Sequence, residues 1–143
     1  MPHIERTVTV EKPLETVWSF LSDFTNTETW DPPTVTTTRQ SGDGGVGTVY
    51  QNVSKILGQE TEIEYTVVEI DPLKKFQLTG KTSSMELLDT MTFDSDGRQT
   101  TVTYRAEFDP QGMAKLIKPL MPLGLKKIGD DAEQSLKESL EKL

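Results

Sequence analysis

All twenty threonines of this 143-residue chain lie in residues 1–103, and the last forty residues contain none. Threonine is branched at Cβ, which restricts it in a helix and lets it pack well on a pleated sheet. The threonine-free tail is rich in Leu, Lys, Glu and Ala, all good helix formers. The chain therefore reads as a β-rich body followed by a helical segment. No internal repeat, low-complexity tract or Pro/Gly/Ser-rich linker divides it, so residues 1–143 are expected to form a single domain. A chain of this length buries roughly two-thirds of its unfolded surface, enough for a core without disulfides.

Periodicity places the elements. Residues 3–11 alternate as a strand with Ile4, Val8 and Val10 on one face. Pro13 suits a helix start, and Leu14, Val17, Trp18 and Leu21 follow as one buried helical stripe. A short second helix around Asn26–Trp30 must end before Pro32-Pro33, because proline disfavours helical geometry in the residue before it. Strands are predicted at 34–40, 47–56, 60–70, 74–82, 85–93 and 99–108. In the tail, Leu125, Ile128, Ala132, Leu136, Leu140 and Leu143 recur every three or four residues, an apolar stripe running to the last residue. The fold class is α+β: a seven-stranded antiparallel sheet wrapped around a long C-terminal helix, with two short helices between strands 1 and 2.

Composition narrows the chemistry. The absence of cysteine excludes disulfides, thiolate metal sites and thiol nucleophiles, and the one histidine, His3, lies at the start of the first strand, where chains usually fray. No metal and no cofactor is expected. A net charge of −8 argues against nucleic-acid binding. No apolar run spans a membrane, and MPHIERTVTV lacks a secretory pattern, so a cytoplasmic location is expected. Gly42–Gly47 spells G-x-G-x-x-G, but the β-patterned segment after it offers no helix N-terminus for a pyrophosphate, which favours a hairpin. Asp94-Ser95-Asp96-Gly97 lacks the later ligands of a calcium loop and reads as a turn.

The segments VTVEKPLETVWSFLSD (8–23), Trp30 in ETWDP, GVGTVY (45–50), EYTVVEIDP (64–72) and TTVTYRAEFDP (100–110) together resemble the START-like superfamily. That superfamily is also known as SRPBCC, or polyketide cyclase/dehydratase and lipid transport, and has the helix-grip fold. The resemblance covers the whole chain. It implies a hydrophobic cavity between the sheet and the long helix, holding a small hydrophobic ligand such as a lipid, polyketide, sterol or quinone.

Within that expectation, the strand register puts Leu87, Asp89, Met91 and Phe93 on one side, making Asp89 a carboxylate among apolar neighbours. It reads either as a proton donor or ligand hook, or as a bulge or rim residue meeting water. Tyr50, Tyr65 and Tyr104 are inward candidates. Where cyclase-like relatives place an arginine and a glutamate, tyrosines leave the cavity less charged, so binding is favoured and no catalytic residue is assigned. The enzymatic alternative uses Asp89 and Tyr65, and a third reading is an interaction module with a filled core. Trp30, by the resemblance, lies near the cavity, and Phe24 and Leu78 complete the expected ligand-binding face. Met113, Leu116, Ile117, Leu120 and Met121, broken by Pro119 and Pro122, form a candidate gate. Lys115, Lys118, Lys126 and Lys127 flank it, a pattern suited to transient contact with an anionic membrane surface or simply to a solvated helix face. A monomer is favoured.

Overall fold

The computed structural model describes residues 2–56 and 58–143. Strand β1 (His3–Val10) leads into helix α1 (Leu14–Leu21), a 3-10 turn (Phe24–Asn26) and the single-turn α2 (Thr27–Trp30). Six strands follow: β2 (Thr34–Ser41), β3 (Val49–Ile56), β4 (Gln59–Asp71), β5 (Lys75–Lys81), β6 (Met85–Ser95) and β7 (Thr100–Pro110). A 3-10 segment (Gly112–Leu120) then feeds helix α3 (Met121–Glu141). The sheet runs β1-β7-β6-β5-β4-β3-β2 with every neighbouring pair antiparallel. The first two strands thus form opposite edges, and the helical connection between them carries the chain from one edge to the other. The sequence-derived strands match these within a few residues.

Register explains which face is buried. Leu78 pairs with Asp89, Asp89 with Ala106, and Ala106 with Ile4, so one row crosses four strands. The neighbouring row runs Phe108, Leu87, Gly80, Tyr65, Tyr50. All of these residues are buried.

Helix α3 closes over this face. Met121, Leu125, Ala132, Leu136 and Leu140 are buried along it, with Ile128 half-buried. Gly129 allows the closest approach, since a Cβ there would stand 2.7 Å from Arg6 Nη2 and 3.0 Å from Ile4 Cγ2. Arg6 is held in turn by Asp130 at 2.9 Å and Glu133 at 3.4 Å.

Two expectations about the tail change. The regular helix begins at Met121 rather than Leu125, because Pro122 sits in its first turn, where a missing N–H leaves no hydrogen bond unmade. Only Pro119 lies within the 3-10 run. Leu143 falls beyond the helix and is 38% exposed, so the buried stripe stops at Leu140. The glycine-rich turn is a hairpin as expected: Gly42, Gly44 and Gly47 take φ of +92°, +102° and +93°, and β3 follows. Among the described residues, no helix is long and apolar enough to cross a membrane, and no cluster of three His, Cys, Asp or Glu side chains could hold a metal ion.

Candidate functional site

The concave face has two ends. Under α1 it is filled with rings: Trp18 stands edge-on to Phe93 at 5.0 Å and to Phe76 at 6.3 Å, and Phe24 meets Tyr65 at 4.8 Å and Tyr50 at 5.6 Å. Met91 and Leu78 are buried in the strands beside Phe76. Tyr50, Phe24, Leu78 and Met91 therefore pack the core here and do not line the interior cavity. The Tyr50 hydroxyl is engaged by the Phe24 backbone, and its edge borders an open polar cleft with Asp23, Arg39 and Gly44.

Under α3 the packing loosens. A cavity of about 40 Å³ lies between the sheet and the helix, with Asp89, Asp31, Tyr65, Tyr104, Ser54 and Leu87 in its wall. That is room for a few water molecules. It is far below the roughly 300–1,000 Å³ usual for ligand pockets, so the roomy single cavity implied by the resemblance is not present. The physical reason is the size of the wall residues. The Tyr65 ring lies over Gly80, where a Cβ would come within 2.8 Å of Tyr65 Cε1. Trp30, expected to line the cavity, is fully buried and lines neither hollow; it packs edge-on to Tyr104 of the wall at 5.4 Å.

A second hollow of about 230 Å³ lies next to it, walled by Met85, Ile117, Leu120, Met121 and Leu125 with Ile56, Phe108 and Ile128. The last three also line the inner cavity and form the boundary between the two. The pair makes an apolar vestibule adjoining a small, mostly apolar chamber whose wall carries a few polar groups. Ile117, Leu120 and Met121 of the expected gate thus stand in the vestibule wall. Met113 and Leu116 do not: they point outward, 81% and 73% exposed.

The chamber is electrostatically unusual. Two buried polar atoms among the described residues lack a hydrogen-bond partner, Asp89 Oδ1 and Trp30 Nε1. An unsatisfied buried polar group costs about 1–3 kcal/mol, so each needs a reason to persist. Burial, and then the Asp31 charge, push the Asp89 carboxyl up to about 8. Burial alone raises Asp31 to about 6, against the lowering effect of the Thr34 hydroxyl, which donates to its Oδ2 at 2.7 Å. Desolvation first, then Asp89 and Asp31, push the Tyr65 and Tyr104 hydroxyls well above 10, so both stay protonated near neutrality. Near neutral pH the chamber therefore presents one carboxylic acid, one largely ionised carboxylate and two phenol groups.

Asp31 was not singled out from the sequence, although it stands in the ETWDP segment. It is held by a chain of polar contacts. Thr27 meets Thr37 at 2.7 Å, Asn52 donates to Thr37 at 2.7 Å and to Thr34 at 3.2 Å, and Thr34 reaches Asp31.

The sequence profile of the polyketide cyclase / dehydrase and lipid transport family matches residues 1–141. The chain belongs to that family. Similar folds are found in the ZhuI aromatase/cyclase from a Streptomyces species, with a TM-score of 0.81, 15% identity, and coverage of 99% of this chain and 94% of that one. A START superfamily protein from Mycobacterium smegmatis has a TM-score of 0.81 at 14% identity, covering 98% and 97%. The di-domain aromatase/cyclase BexL has a TM-score of 0.68 at 14% identity, covering 96% of this chain and 47% of that one. At such identities the likeness is one of fold. No curated protein matches the chain in sequence.

Proposed function

We propose that this family member binds a small, mostly apolar ligand whose body occupies the vestibule and whose single polar group enters the inner chamber. The observation that carries this reading is the adjacency of the two hollows: an apolar vestibule of about 230 Å³ abuts a chamber where a buried carboxyl oxygen has no partner. Apolar contact supplies affinity, while one satisfied polar group fixes orientation. Fluorescence titration with the neutral probe N-phenylnaphthylamine tests it. Saturable binding that small aliphatic ligands displace is the expected result, and native mass spectrometry of the protein from its source would give the mass of the natural ligand. No displacement by any apolar compound would leave the interaction-module reading in its place.

A second reading is favoured by one observation. A carboxyl that stays protonated near neutrality beside Tyr65 and Tyr104 is suited to proton donation, the role a cyclase or dehydratase would ask of Asp89. Turnover of a polyketide-like substrate that falls as pH rises through about 8, and that Asp89→Asn abolishes, would establish it.

Access is expected through the 3-10 segment, whose outer side supports contact with an anionic membrane surface. Residues 110–129 carry Lys115, Lys118, Lys126 and Lys127 and no acidic residue, in a chain of net charge −8. Met113, Leu116, Leu120 and Leu123 are exposed among them. Lys126 and Lys127 pair with Asp130 and Asp131 at 2.8 Å, but such surface pairs are weak and exchangeable. Sedimentation with phosphatidylglycerol vesicles but not with phosphatidylcholine vesicles is the expected outcome.

A further inference from the structure

Among the described residues, the wall of the inner chamber carries acids and hydroxyls and no cation. Its polar wall groups are Asp31, Asp89, Ser54, Tyr65 and Tyr104. Helix α3 contributes only Ile128 and Ala132 to the wall, and β1 only Ile4. The cation closest in register is Arg6, paired across β1 and β7 with Tyr104, and its guanidinium is turned to Asp130 and Glu133 on α3. Asp89 is 5% exposed, and its Oδ1 has no partner. Two carboxyl groups thus share a small apolar enclosure with no counter-charge facing them.

We propose that the chamber receives the cationic amine head of a ligand whose apolar body fills the vestibule. This rests on the ligand-binding reading above and names the class of head group. An ammonium carries three donors and no acceptor, which suits a wall with an orphaned carboxyl oxygen and a second carboxyl beside it. Hydrogen bonds between ionised partners are roughly twice as strong as neutral ones, and a dry enclosure strengthens them further. A carboxylate head would add a third acid to the pair and is disfavoured. An alcohol or ketone head would satisfy Asp89 and leave any charge on Asp31 without a counter-ion. The chamber's volume of about 40 Å³ accepts a group the size of a primary ammonium.

The raised titration of both acids fits an enclosure that lacks its cation. An amine arriving there draws the Asp89 carboxyl back towards ionisation, so binding near neutral pH expels a proton to the buffer. A neutral head group expels none.

The test compares octylamine, octanol and octanoate, which share one chain, as displacers of N-phenylnaphthylamine near neutral pH. Calorimetry of octylamine in two buffers of different ionisation enthalpy then counts protons. Octylamine is expected to bind at least about tenfold more tightly than octanol, with octanoate weakest and with proton release for the amine alone. Asp89→Asn should bring the amine to within about twofold of octanol, both affinities being measured on that variant. Asp31→Asn, on the surface-facing side of the chamber, provides the same readout if the first variant folds poorly. Octanol equal to octylamine, no proton release, or an amine preference that survives both substitutions would overturn the proposal while leaving ligand binding intact. Failure of all three compounds to bind would overturn both.

Discussion

The two ends of one sheet face solve the same problem differently. Beneath α1, Trp18 stands edge-on to Phe76 and Phe93, and Phe24 packs against Phe76 at a tilt. Beneath α3, a small chamber walled in part by Asp89, Asp31, Tyr65 and Tyr104 adjoins a larger apolar hollow. The covering elements differ as well. An eight-residue helix with Val17 and Leu21 fully buried seals the first end. The second is bordered by a 3-10 segment with no buried residue of its own. Packing thus divides the face into a tightly packed stability half and a hollow half proposed as the binding half, and the division is what substitutions should break.

The largest effects belong to the aromatic end and the helix it supports. Phe76 is fully buried, so Phe76→Ala should cost about 3–5 kcal/mol in chemical denaturation. Leu136→Ala, in the buried stripe of α3, should cost about 2–5 kcal/mol. If either loss stays within the surface range of about 0.5 kcal/mol, the division between the halves is drawn in the wrong place.

Next in size is the pH dependence, which belongs to the binding half. Asp89 titrates at about 8 in the fold, above its ordinary 3.8, so between those values the folded protein holds a proton that the unfolded chain has lost. Stability is therefore greatest below about pH 4 with respect to this group, and it falls as pH rises until the folded acid ionises near 8. The slope for a single such group approaches about 1.4 kcal/mol per pH unit. Asp31 adds to the same fall below about 6. Asp89→Asn should flatten the profile between pH 6 and 8 in urea titrations, because the amide carries no proton to lose. An unchanged profile would mean that the acid is hydrated.

The β-face was legible because period-two alternation survives in isolation. Leu87, Asp89, Met91 and Phe93 lie on one side in the sequence and in the fold, and Asp89 is buried as its neighbours require. The stripe from Leu125 to Leu140 followed for the same reason at helical period. What alternation does not carry is which end of the face a side chain serves. Tyr50 and Tyr65 are directly paired across β3 and β4, yet the Tyr50 hydroxyl engages the Phe24 backbone while Tyr65 lines the chamber. That depends on where Phe24 is wedged. Asp31 escaped notice because it belongs to no periodic element. Its position is set by the polar chain through Asn52 and Thr34, three segments that meet only in the fold. The cavity volume is not legible in the sequence because it depends on the contact of the Tyr65 ring with Gly80, a glycine whose role is invisible until β4 and β5 are in register.

That contact sharpens the comparison at intermediate size. In Gly80→Ala the new methyl would meet Tyr65 Cε1 at 2.8 Å, and the ring it would push lines the chamber. Overpacking of this kind costs about 1–3 kcal/mol. Ligand affinity should fall with it, since the displaced ring fills the head-group space. A loss of stability with unchanged affinity would place the ligand's polar group elsewhere.

The smallest expected effect on stability is also the most specific to the vestibule. Leu120 is 67% exposed while standing in the vestibule wall, so Leu120→Ala should alter stability by less than about 0.5 kcal/mol. It should nevertheless weaken binding of an apolar body, because a methylene set that contacts the ligand is removed. The segment around it should also open most readily. Pro119 lacks a donor, the 3-10 run makes poorer hydrogen bonds than an α-helix, and none of its residues is buried. Amide exchange in residues 113–118 should accordingly be faster than in residues 126–140, and bound ligand should slow the first group selectively. Equal protection in both groups, unaffected by ligand, would make the 3-10 segment a fixed wall. The ligand would then have to enter elsewhere along the chamber wall, such as beside Asp31 and Pro33.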